Sequence, residues 1–165
     1  MSVRTAQGFT IFELMITVAI AALVLAFAIP AFQDLMARSR VNGAAEEIAN
    51  AMVTARNMAV SQRRPLMLGM TGSSWSISQA TTGGDLIDLQ RGSLDGPVVP
   101  TWPAEELTFD AGGRVSQTVP PAAATNWAVS VCDNGSRRER GRNVTVSRVG
   151  RIQTTTHATA TTCNP

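Results

Sequence analysis

The sequence predicts an α+β chain in which one long N-terminal helix, transmembrane at first and amphipathic afterwards, packs on a small antiparallel β-rich domain. Three observations carry this prediction. An apolar run extends from Phe9 to Phe32, and between Leu14 and Ile29 its only non-apolar side chain is Thr17. Val41, Ala45, Ile48, Met52, Ala55 and Ala59 then recur at intervals of four and three, the spacing of one helix face. Beyond Gln62 the chain breaks into short apolar or alternating runs separated by Gly, Pro, Asn and Asp, the pattern of strands and turns.

The first element is long enough to cross a membrane. Met1–Gly8 is polar with one cation, Arg4, and about 20 residues from Phe9 onward span a bilayer core of ~30 Å. Arg4 on the short side predicts that this end stays cytoplasmic. A cleaved secretory signal is the competing reading, since Ala26-Phe27-Ala28 has the A-x-A form. Glu13 inside the apolar run, Pro30 just after the supposed site, and a helical pattern that continues past it all argue against cleavage there. One helix from about Phe9 to about Gln62 is expected, ~80 Å long if continuous. Pro30 is expected to kink it or melt it locally, with Gly43 a second weak point.

Gln62-Arg63-Arg64-Pro65 ends the helix. Leu66–Met70 and Trp75–Gln79 read as a hairpin around Thr71-Gly72-Ser73-Ser74, and Leu86–Gln90 as a third strand. Asp95–Pro103, with three prolines, reads as loop. Leu107–Phe109 and Arg114–Ser116 flank a turn at Asp110-Ala111-Gly112-Gly113, and Pro120–Thr125 is a second loop. Trp127–Cys132, Asn143–Arg148 and Arg151–Thr155 read as strands. The Thr-rich stretch Thr154–Thr162 is low in complexity and reads as edge strand or coil.

All 14 basic residues are Arg, and they are unevenly spread. Residues 1–41 sum to +1, with three Arg against Glu13 and Asp34. Residues 42–131 sum to −3, with five Arg against eight acids. Residues 132–165 sum to +4, with six Arg against Asp133 and Glu139. A basic end on a mildly acidic body suits an anionic polymer, although clustered Arg is also simply a solvated face.

Gly8-Phe9-Thr10-Ile11-Phe12-Glu13-Leu14 resembles the type IV prepilin signature, a Gly and then a Phe, with an acid at the fifth position after the cut. The resemblance implies that prepilin peptidase cuts between Gly8 and Phe9 and methylates the Phe9 amine. It implies a leader at 1–8, a transmembrane and assembly helix at 9–32, and a periplasmic pilin-like domain at 33–165 that includes the amphipathic half of the helix. It also gives Glu13 a partner. An acid near the bilayer centre costs about 2.5–3.5 kcal/mol, less toward the interface, and the Phe9 amine of a neighbouring subunit would offset that cost. The alternative is that Glu13 only snorkels to the headgroups.

The second half resembles the GspH/FimT family of minor pilins and pseudopilins, which includes FimU-type proteins. The residues that carry this are Trp127-Ala128-Val129-Ser130-Val131-Cys132 and Asn143-Val144-Thr145-Val146-Ser147-Arg148-Val149-Gly150-Arg151-Ile152. The resemblance implies a subunit that acts by assembly with other major and minor pilins, stored in the inner membrane before it joins a pilus or a type II secretion pseudopilus. Some FimT-type members bind DNA through a Gly-Arg-x-Arg motif. Here Gly150-Arg151-Ile152-Gln153 keeps the first Arg only. The alternative function that the resemblance implies is that of a FimT-like DNA-binding minor pilin for DNA uptake in natural transformation, with weak, sequence-independent contact by Arg137, Arg138, Arg140, Arg142, Arg148, Gly150 and Arg151. No aromatic residue interleaves with these arginines, so base stacking is not expected.

Cys132 and Cys163 are the only cysteines, and an exported domain favours their pairing. Two Cys and the single His157 are too few for a zinc site. Enzyme chemistry has little to stand on. Nucleophile-elbow, P-loop and G-x-G-x-x-G motifs are absent from the sequence. Glu46-Glu47 and Glu105-Glu106 are adjacent pairs that point apart on a helix or strand. No cofactor and no metal is expected. A soluble enzyme released at Ala28 is the reading from another class.

Overall fold

The structure, a computed structural model, describes residues 9–102, 106–116, 126–133 and 141–156 of the 165. Helix α1 runs from Ile11 to Gln62. It is unbroken through Pro30 and Gly43, so the expected local melting at Pro30 does not occur. Proline removes one donor and crowds one turn. The hydrogen bonds on either side, among strong helix formers such as Ala and Leu, keep the backbone helical across the defect. The chain divides into two compact units between Met36 and Ala37.

The helix stops where the sequence places its end. Arg63 takes the left-handed conformation, with φ 53°. Its N–H donates to the Val60 carbonyl at 3.3 Å, and that of Arg64 to the Ala59 carbonyl at 3.2 Å. These are the two bonds of a Schellman cap, here built without glycine. Pro65, which has no N–H to continue the helix, follows directly.

Among the described residues, eight strands form two antiparallel four-stranded sheets. They are β1 (Leu66–Thr71), β2 (Ser74–Ala80), β3 (Leu86–Ser93), β4 (Val98–Thr101), β5 (Leu107–Phe109), β6 (Asn126–Asp133), β7 (Arg142–Ser147) and β8 (Ile152–Thr156). The first sheet has the order β3-β2-β1-β5, and the second β4-β6-β7-β8. Thr71 pairs with Ser74, so the first hairpin turns on two residues, Gly72 and Ser73, rather than four. Two expectations need correction. Asp95–Pro103 is not all loop, because Val98–Thr101 pairs along β6 with Pro100 opposite Val131. A proline is tolerated there because β4 is an edge strand and one side of its backbone has no partner strand. Arg114–Ser116 is not a strand. Among the described residues only Val115 bridges back to Phe109, and its N–H is given to the Arg148 carbonyl rather than to a longer ladder. The Asp110 carboxylate closes that turn by accepting from Gly112 N at 2.8 Å and Arg114 N at 2.9 Å. The expected loop at Pro120–Thr125 lies outside the described residues, as does the Thr-rich stretch beyond Thr156.

The core belongs to the second unit. The predicted helix face, Val41, Ala45, Ile48, Met52, Ala55 and Ala59, is wholly buried, joined by Ala44 and Ala51. It meets Leu66, Leu68, Ile77, Leu107 and Phe109 of the first sheet, and Val129, Val131, Val144 and Val146 of the second. The alternation of β6 and β7 puts their valines on one side, as a period of two requires. Alanine dominates the helix face, and small side chains allow close helix–sheet approach. Trp75 bridges helix and sheet. Its indole N–H donates to Glu47 Oε1 at 3.0 Å, and its ring lies over Gly92, where a Cβ would come within 2.4 Å of it.

A second lock joins the helix to two turns. Arg56 Nε donates to the Gly113 carbonyl at 2.9 Å. Val115 N donates to the Arg148 carbonyl at 3.1 Å, which brings the turn after β5 against the turn between β7 and β8. Gly150 sits at that contact with φ 75°, and a Cβ there would lie 2.1 Å from the Gly113 carbonyl oxygen. Both its conformation and the close backbone approach demand glycine.

Two stability measurements on the detergent-solubilised full chain test this packing. Met52→Ala is expected to lower unfolding free energy by about 2–5 kcal/mol through a cavity in the core. Gly150→Ala is expected to cost more than about 1 kcal/mol, while the exposed neighbour Val149→Ala stays within about 0.5 kcal/mol. An unchanged midpoint for Gly150→Ala in denaturant titrations would show that the turn contact gives way freely.

Candidate functional site

The first half of α1 is built to be covered by something other than its own chain. Phe9 is 84 % exposed, Ile11 81 % and Phe27 74 %, and sixteen large hydrophobic side chains between Phe9 and Met36 stand open. The helix is long and apolar enough to cross a membrane, and its most apolar window has no buried residue. A contiguous apolar surface of this length is not stable against water. A lipid phase or another apolar surface must take it. Thr17, the lone polar residue of the middle stretch, returns its hydroxyl to the Leu14 carbonyl at 2.8 Å. It therefore presents no unpaired donor to an apolar phase.

The helix start has its own chemistry. Thr10 is the N-cap, since α1 begins at Ile11 and the first helical bond runs from Leu14 N to the Thr10 carbonyl at 3.2 Å. The Thr10 hydroxyl oxygen accepts from Glu13 N at 3.2 Å. Glu13 Oε2 in return accepts from Thr10 N at 3.1 Å and from the Thr10 hydroxyl at 3.0 Å. This is a capping box, which satisfies two donors that a helix start leaves unpaired. Its signal, Thr10-x-x-Glu13 opening an apolar run, stands in the sequence. A reading of Glu13 as a charge awaiting a partner passes over it.

The remaining predicted residues divide three ways. Gly8, Arg137, Arg138, Arg140 and Cys163 lie outside the described residues, as does His157. Phe9 precedes the helix and is exposed. Cys132 is buried on β6, opposite Val99 of the edge strand β4. Of the residues expected to face an anionic polymer, Arg142 is partly buried and donates through Nε to Asn42 Oδ1 at 2.8 Å. Gly150 is committed to the turn contact with Gly113. Arg148 and Arg151 are exposed, on the turn between β7 and β8. The structure also shows roles that strand patterns do not signal, Asn42 as the partner of Arg142 and Arg56 as the tie to Gly113. Nearby, Arg40 approaches Asp133 at 3.6 Å, which brings a cation to a carboxylate only 8 % exposed. Among the described residues, no three His, Cys, Asp or Glu side chains group as a metal site.

Comparison with known proteins matches this arrangement at both ends. The prokaryotic N-terminal methylation motif matches residues 3–29. A fimbrial protein of Pseudomonas aeruginosa is 34 % identical over 85 residues, which cover 52 % of this chain and 54 % of that protein. The chain thus spans about half the length of the curated relatives it matches. The type IV minor pilin FimU of Pseudomonas aeruginosa superposes with a TM-score of 0.59 at 27 % identity, covering 74 % of this chain and 96 % of FimU. The minor pseudopilin EpsH of the type II secretion system of Vibrio cholerae superposes with a TM-score of 0.56 at 13 % identity, covering 70 % of this chain and 96 % of EpsH, and shows the shared fold. The profile described as type II transport protein GspH matches residues 44–150, the stretch that holds most of the amphipathic half of the helix and strands β1 to β7, and the chain belongs to the GspH family.

Proposed function

We propose that this chain is a minor pilin or pseudopilin, a subunit that works by assembly and not by catalysis. The observation that carries this reading is the uncovered apolar stretch from Phe9 to Met36, which overlaps the methylation motif matched at residues 3–29 and leads into a folded α+β domain. Residues 1–8 are the leader. Prepilin peptidase cuts between Gly8 and Phe9 and methylates the Phe9 amine. Residues 9–32 hold the precursor in the inner membrane, with the domain in the periplasm. The same helix then enters the core of a type IV pilus or a type II secretion pseudopilus beside other pilins. Apolar side chains exchange lipid for neighbouring helices, so release from the membrane costs little hydrophobic burial. Glu13 supplies the polar register by meeting the Phe9 amine of the next subunit.

DNA contact by the basic end is the less supported alternative. Arg142 is engaged with Asn42, and Arg148 and Arg151 are the two exposed arginines of the set among the described residues. Arg137, Arg138 and Arg140 of the set lie outside the described residues, and the contact is proposed as weak, sequence-independent and salt-sensitive.

Cys132 and Cys163 are proposed to form a disulfide, which closes a loop of about 30 residues and contributes roughly 3–4 kcal/mol in the chain-entropy model. The burial of Cys132 and the absence of a free thiol among the described residues support this.

Processing is checked by mass spectrometry. The mature chain is expected to start at methyl-Phe9, Gly8→Val to retain the leader, and the processed form to appear in sheared fibres. A mature start at Ile29 or later would remove the pilin reading. Redox state is checked by alkylation and intact mass, where two thiols are expected only after reduction. Two modified cysteines in native protein would reject the bridge.

A further inference from the structure

We propose that the domain carries two complementary surfaces, an acidic and apolar edge at β3 and a basic pair of turns at the far edge of the same sheet, through which one copy of this chain docks side by side on a second copy. This rests on the assembly reading above for the parallel setting of neighbouring helices, and it names a partner for the domain.

Strand β3 is the first surface. It is an edge of the first sheet, and every residue from Leu86 to Arg91 is exposed. Leu86, Ile87 and Leu89 stand open there, Ile87 by 55 %. A register shift between Ile77 and Ser78 leaves Leu89 without a partner on β2. A bulge of this kind bends the strand and disrupts its ladder, so a further strand is a poor fit and side chains are left as the means of contact. Asp88 pairs with Arg91 along the strand, whereas Asp85 makes no ion pair among the described residues.

The second surface is formed by the turn after β5 and the turn between β7 and β8. Val115 N donates to the Arg148 carbonyl at 3.1 Å, and Gly150 closes on the Gly113 carbonyl, so the two turns are held as one. Arg114, Arg148 and Arg151 are exposed on them, and Val149 stands 62 % open beside Arg148. Asp110 is the one acid of these turns, and its carboxylate accepts from the amides of Gly112 and Arg114.

Strand register puts both surfaces at one level. Asp88 pairs with Ser78, Ser78 with Met67, and Met67 with Thr108. That row crosses the sheet from β3 to β5, about 14 Å over three strand spacings. The surfaces therefore face away from each other within one chain, and meet when a second copy lies beside the first with its helix parallel. Unlike patches on opposite sides make a heterologous contact, which repeats along a fibre without closing. Four of the six large hydrophobics exposed beyond Met36, among the described residues, lie on these two surfaces. Apolar side chains ringed by charge suit a protein partner, whereas a phosphate backbone has no use for them. Arg forks meeting Asp carboxylates supply the rim.

The test is made in cells on two differently tagged full-length copies. Photoreactive benzoylphenylalanine in place of Ile87 is expected to cross-link to a peptide of the other copy that contains Val149, and in place of Val149 to one that contains Ile87. Reversing the edge (Asp85→Arg with Asp88→Arg) or the turns (Arg148→Glu with Arg151→Glu) is expected to lower the yield roughly fivefold or more, since like charges then face each other. Mixing an edge-reversed copy with a turn-reversed copy is expected to restore it, which a misfolded variant could not do. Wild-type yield in both reversals, or no recovery on mixing, overturns the proposal. Cross-links from Ile87 to Ile87 overturn it in favour of a two-fold contact. Cross-links only to another protein, or to nucleic acid, overturn the choice of partner. Mature mass and sheared fibres are read in parallel. A mature start at Ile29 with the cross-link retained removes the assembly reading and leaves the contact, while normal incorporation without the cross-link removes the contact alone.

Discussion

Hydrophobic surface must be covered, and in this chain one helix solves that problem twice in different ways. From Val41 to Ala59 the covering is internal, with both sheets closing over an alanine-rich face. From Phe9 to Met36 the side chains stand open on every side of the helix. The free energy of that surface in water is too unfavourable for a free monomer, so the molecule is incomplete without lipid or neighbouring helices. The fold of the domain follows from that division, since its sheets cover only the second half of the helix.

The domain is organised to hold the amphipathic half of the helix firmly. The strand order alternates between sheets. β4 joins the second sheet although it lies in sequence between β3 and β5, which both belong to the first. Contacts distant in sequence therefore converge on the helix from two directions. Polar ties reinforce them at separate points along α1: Asn42 to Arg142, Glu47 to Trp75 and Arg56 to Gly113. Each satisfies a polar group that packing partly removes from water, and such pairing fixes register more than it adds net stability. The exposed arginines Arg148 and Arg151 sit on a turn whose backbone is pinned by the contact of Gly150 with Gly113. The Gly-Arg sequence at 150–151 therefore has a folding reason of its own, whatever its side chains meet.

At the other end, Glu13 shows how one residue serves two demands. Buried in an apolar phase, a helix start leaves donors unpaired and a carboxylate lacks solvation. Thr10 and Glu13 answer both needs at once through reciprocal bonds.

The sequence by itself determined the periodic features. The apolar run, the buried helix face, the helix end at Gln62 and seven of the eight strands follow from local spacing, because side-chain periodicity and backbone preference are local properties. The prepilin-like start at Gly8-Phe9 and Glu13 is equally local, and the capping box was legible there as Thr10-x-x-Glu13. Only the tertiary structure decided what depends on neighbours distant along the chain. Val98–Thr101 is a strand because an edge position excuses Pro100 from donating. Arg142 is occupied because the helix brings Asn42 to it from 100 positions away. Gly150 cannot be replaced because another turn's carbonyl lies where its Cβ would be. No local pattern encodes these contacts, since each arises from two segments meeting only after the helix and both sheets have packed.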